Sequence, residues 1–79
     1  MARPRYPEIN RSEMREARTR LGWSYRELEK RCAELGARID NTLLSQYERG
    51  LVRPSPERLP VIAEALGLGL AELQLQDAA

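Results

Sequence analysis

Four glycines, Gly22, Gly36, Gly50 and Gly67, stand at the ends of four stretches whose apolar residues recur every three or four positions. A stripe of that period lines one side of a helix, and a glycine just past its end lets the chain leave through a left-handed turn. The spacing therefore predicts short helices and leaves no room for a long one. Met14, Ala17 and Leu21 mark a first helix over Ser12 to Leu21, with Ser12 or Asn10 as its N-cap. Ser24 and Glu27 have capping-box spacing, and Trp23 and Leu28 have that of a hydrophobic staple, so a second helix runs from there through Cys32 to about Leu35.

Asp40 or Asn41 can cap a third helix, over about 41–49, built on Leu44 and Tyr47. Ser55 and Pro56 suit the N-cap and first position of a fourth, with Leu59, Ile62, Ala63 and Leu66 on its buried face. Pro60 conflicts with that reading, because it removes a helical hydrogen bond, and it predicts a bend or a late start. Leu70 to Leu75 gives a fifth, short helix. No strand-like alternation competes, and the expected class is all-α. Pro4 and Pro7 with Arg3, Arg5 and Arg11 make residues 1–11 a flexible basic arm, residues 12–75 the domain and residues 76–79 a tail.

Charge and composition narrow the function. The formal net charge of +1 conceals a gradient: +4 over residues 1–26, zero over 27–54 and −3 over 55–79. A basic portion can meet a polyanion, although the same charges also solvate helix faces. The absence of histidine excludes a histidine-based triad or metal site, and the single cysteine, Cys32, excludes an internal disulfide. With no glycine-rich phosphate loop and no ligand cluster either, an enzyme is not expected, nor is a cofactor, a metal or a small-molecule substrate. The N-terminus lacks the apolar core of a signal peptide and no apolar run approaches a membrane span, so the expected compartment is the cytoplasm.

Two short helices joined by a turn can place the second in a DNA major groove, a pattern that any helical bundle also offers. Here the residues add to it. The block W-S-Y-R-E-L, then L-S-Q-Y-E-R-G, Arg53-Pro54-Ser55, I-A-E-A-L-G-L and L-A-E-L occur in that order, preceded by Arg18. Over Met14 to Leu73 the chain resembles the Xre/Cro/cI-type helix-turn-helix transcriptional regulators. The resemblance implies a compact five-helix, lambda-repressor-like DNA-binding domain. It also implies that Glu48 pairs with Arg18 to tie helices together. The chain departs from the family pattern in two places: about five additional residues lie between Leu28 and Glu48, extending the second helix or the turn, and Glu29 stands where alanine is usual.

If Leu44 and Tyr47 face the core, Asn41, Thr42, Ser45 and Gln46 lie outward and are the candidate base contacts; Asn and Gln can pair bidentately with adenine. Leu43 either touches a thymine methyl or packs in the core, and Asn41 either reads a base or caps the helix. Tyr25 and Arg26 at the start of the second helix, and Arg49 and Arg53 after the third, are candidate phosphate contacts. Arg3 and Arg5 are candidates for the minor groove. One such module makes few base contacts, so a homodimer reading two half-sites is expected, and Leu68, Leu70, Leu73 and Leu75 are either its surface or ordinary core. The leading expectation is a sequence-specific regulator of double-stranded DNA, most simply a repressor. The alternative is a protein-interaction module, such as an antitoxin, using the same surfaces.

Overall fold

The five helices that the periodicity predicts are α1 (Arg11–Leu21), α2 (Tyr25–Glu34), α3 (Asn41–Arg49), α4 (Arg58–Leu66) and α5 (Leu70–Leu73). They come from a computed structural model that describes residues 8–74. Among these there is no β-strand, only an isolated antiparallel bridge between Ile9 and Gln74. No helix among them is long and apolar enough to cross a membrane.

Local chemistry sets the helix ends. Asn10 caps α1 by accepting from the Glu13 N–H at 3.2 Å. Ser24 Oγ does the same for α2 through the Glu27 N–H at 3.2 Å, while the Glu27 carboxylate meets Arg31 at 3.1 Å. At the far end of α2 the Gly36 N–H reaches the Ala33 carbonyl at 2.9 Å and the Ala37 N–H reaches Cys32 at 3.0 Å. That paired closure needs a left-handed residue, and Gly36 supplies it with φ at +94°.

The conflict at Pro60 resolves as a late start. Regular helix begins only at Arg58, after a turn in which the Ser55 carbonyl accepts from Arg58 at 3.1 Å and Leu59 at 3.2 Å. Pro60 then lies in the first turn of α4, where its missing N–H leaves no partner wanting.

Met14 and Ala17 of α1, Leu28 and Cys32 of α2, Leu44 and Tyr47 of α3 and the apolar face of α4 meet in one core, each 1% exposed or less apart from Leu66 at 3%. Fully burying a side chain such as Leu44 stabilises by about 1.5–3 kcal/mol. Ile39, at 1% exposure, pins the α2–α3 connection to this core. The length between Leu28 and Glu48 is thus absorbed by a ten-residue α2 and by a connection, 35–40, that is anchored. Leu21 and Leu35, at the ends of their stripes, are 43% exposed instead of buried.

The N-terminal boundary falls earlier than residue 11. Ile9 is buried, its neighbour Asn10 donates its N–H to the Leu73 carbonyl, and α1 already begins at Arg11. The reason is the bridge to Gln74, a contact 65 residues away that no local pattern announces. The fifth helix likewise ends at Leu73, where Gln74 turns extended to make that bridge.

Candidate functional site

Helix α3 has one face in the core and one outside it. Leu44, Tyr47 and Glu48 are buried, whereas Thr42 and Arg49 are exposed and Gln46 is half-buried. Thr42, Gln46 and Arg49, at i, i+4 and i+7, form a single outward line. Ser45 lies beside this line, half-buried and near Tyr25. Leu43 is half-buried and packs against the core cluster.

The start of α3 is held by two carboxylates. Asp40 Oδ2 accepts from the Thr42 N–H at 2.9 Å. Glu29, reaching over from α2, accepts from the Asn41 N–H at 3.2 Å and from the Asn41 side-chain Nδ2 at 3.3 Å. Asn41 is therefore the first helical residue and not the cap, and its side-chain amide is turned toward Glu29. Acids at a helix N-terminus favour the helix dipole. They also make this end of α3 a poor seat for phosphate.

Behind α3, one polar cluster ties three helices. Arg18 on α1 donates Nε to Glu48 Oε1 at 2.9 Å and Nη2 to Glu48 Oε2 at 3.0 Å. Its Nη1 reaches the Trp23 carbonyl at 2.8 Å, and its guanidinium lies 4.3 Å from the centroid of the Tyr25 ring. The Tyr25 hydroxyl donates to Glu48 as well. Desolvation alone would raise the Glu48 carboxyl, but hydrogen bonds from Arg18 and Tyr25, with the Arg18 and Arg15 charges, hold it below its ordinary value. Burial, then the bond to Glu48 and its charge, push the Tyr25 phenol up. The Tyr25 proton is thus committed to Glu48, and donating it to a phosphate would require giving that bond up.

The remaining cations occupy the surface. Arg26 is exposed at the start of α2, and Arg49 at the end of α3. Arg53 lies in the α3–α4 connection, 3.9 Å from Glu8. Arg11 extends from the start of α1 to the Arg49 carbonyl, with its Nη1 at 3.1 Å. Arg3 and Arg5 lie outside the described residues, as does Leu75.

Of the C-terminal leucines, Leu73 is fully buried against the core and is removed from any partner surface, because α5 folds back onto α1 and α4. Leu68 packs partly on the core, and Leu70 is 44% exposed. Glu29, Arg11 and Arg15 contribute to this region although the helical pattern does not mark them as contacts. The departure at Glu29 was visible in the sequence, whereas Arg11 and Arg15 carried no signal beyond their charge.

Among the described residues no group of acids and Cys32 is placed to hold a metal ion. The model of the helix-turn-helix family matches residues 14–73 of the chain. No match was found among curated proteins or among solved structures.

Proposed function

The chain belongs to the helix-turn-helix family of Xre/Cro/cI type, a family of DNA-binding regulators, and from that premise we propose a sequence-specific repressor that lays α3 in the major groove. One observation supports this docking above the others: the line Thr42, Gln46 and Arg49 points out of the domain while the opposite side of α3 is sealed in the core. Gln46 pairs with an adenine edge and Thr42 bonds a base edge or meets a thymine methyl, with Ser45 and Leu43 flanking them. Asn41, tethered by Glu29, contributes at the margin of this surface.

Arg26, Arg49 and Arg53, with the start of α2, hold the backbone on either side and fix the register without reading sequence. Two copies form a homodimer on two half-sites, acting in the cytoplasm, with Leu70 and Leu68 in the contact between them.

The test is selection of the purified protein on random-sequence duplexes at two salt concentrations. An enriched inverted repeat, bound more weakly at the higher salt, is the expected result. The two carboxylates at the start of α3 favour a second reading, a module for a protein partner. Absence of any enrichment, with only weak binding lost at the higher salt, would select that reading instead.

A further inference from the structure

The α1–α3 junction carries a hollow of about 360 Å³ lined by Arg11, Ser12, Arg15, Glu48 and Arg49. Three arginines thus line a hollow that holds one carboxylate. That carboxylate already takes two N–H groups from Arg18 and the hydroxyl of Tyr25, while its approach to Arg15 is a distant 3.9 Å. The hollow therefore keeps an excess of positive charge. Arg15 holds its side chain 73% exposed, with donors available to an incoming anion.

Arg11 is seated rather than trailing in solvent. Its Nη1 bonds the Arg49 carbonyl, and the same side chain lies over Gly50 so closely that a Cβ there would stand 2.6 Å from Nη1 and 3.0 Å from Cδ. The glycine at position 50 thus serves two needs, its left-handed φ of +77° and the approach of Arg11. Arg49 belongs both to this hollow and to the outward line of α3, so the two surfaces share a residue.

We propose that Arg11, Arg15 and Arg49 form a phosphate clamp that grips the DNA backbone beside the segment facing α3, extending the footprint onto α1. The proposal rests on the DNA-binding reading above. Guanidinium groups with several donors in a fixed fork match phosphate oxygens, and each phosphate neutralised contributes about 0.9 to the slope of log affinity against log salt.

The experiment measures affinity for the selected duplex and for an unrelated duplex over a salt series, using the parent protein, Arg15→Gln, Arg11→Gln and Thr42→Ala. The clamp predicts that each arginine variant weakens binding to both duplexes alike and flattens the salt slope by about 0.9 for each phosphate lost. Thr42→Ala should weaken only the selected duplex and keep the slope. Arg15 is exposed, so Arg15→Gln should melt with the parent even if Arg11→Gln does not. Parental affinity and slope in Arg15→Gln and in any folded Arg11→Gln, alongside an effect of Thr42→Ala, would overturn the clamp and leave α3 as the reader. No DNA binding by the parent would overturn both.

Discussion

Arg18 and Glu48, thirty residues apart, meet through two parallel hydrogen bonds in which a side chain 17% exposed holds one that is 3% exposed. Removing one member of such a pair leaves the other desolvated and uncompensated. Glu48→Ala should therefore cost about 2–3 kcal/mol, less than the ~3–5 kcal/mol of a fully buried pair because Arg18 keeps some solvent and the Trp23 carbonyl. For a domain of this size that corresponds to a fall of roughly 10–20 °C in melting midpoint. A midpoint within a degree or two of the parent would show that the pair does not hold the helices.

The same carboxyl gives stability a pH dependence. Its value is depressed in the folded protein, so the unfolded chain takes up this proton first as the pH falls. The stabilisation is complete above the unfolded carboxylate value of about 4.3 and is lost as the pH drops through the lower folded value. Melting midpoints should decline below about pH 4 in the parent, and Glu48→Gln should flatten part of that decline. Parallel curves for the two proteins would assign the acid loss to other groups.

Glu29 acts on α3 from a neighbouring helix. Glu29→Ala takes away the acceptor of the Asn41 N–H and releases the Asn41 side chain, and it should cost about 1 kcal/mol, as for the loss of a cap. Chemical denaturation would measure this. Selection on random duplexes would then show a changed preference at the base nearest Asn41, while an unchanged preference would confine Glu29 to stability.

Burial pushes the Cys32 thiol up to about 11. At about pH 8 a disulfide reagent should label it only as fast as the fold opens, since the attacking species is the thiolate. Rapid labelling of the folded protein would mean that the α2 stripe is not packed as described.

Leu70→Asp changes a side chain that is 44% exposed. It should leave the unfolding free energy of the monomer within about 0.5 kcal/mol of the parent's, as surface changes do, when both are measured at concentrations too low for the dimer. It should shift sedimentation from dimer toward monomer. A mass distribution identical to the parent's would move the dimer contact away from α5.

The helices were legible because their information is local. Ser24 before Glu27, Gly36 after Leu35, and Leu44 and Tyr47 three apart each act within one or two turns. The outward residues Thr42 and Gln46 followed from the same periodicity, since a face not buried is displayed. What escaped was long-range. Ile9 joins the core through a partner at Gln74, Glu29 reaches Asn41 across twelve positions, and Arg11 reaches Arg49 across thirty-eight. The fold alone creates these contacts, and single charged residues give no hint of which neighbour they will meet. Leu73 illustrates the converse: a leucine in a leucine-rich run looks sticky until the docking of α5 shows that the core has taken it.

The bridge between Ile9 and Gln74, with the Asn10 N–H bonded to the Leu73 carbonyl, has a topological consequence. The path through the five helices returns to its starting point, so the domain is almost a closed ring. A short linker joining these two points, with new ends opened at the exposed Gly36, should preserve the packing while changing the order in which the helices are made. Such a permutant would carry α3, α4 and α5 at its front and α1 and α2 at its back, asking whether this architecture depends on the order in which its helices are strung.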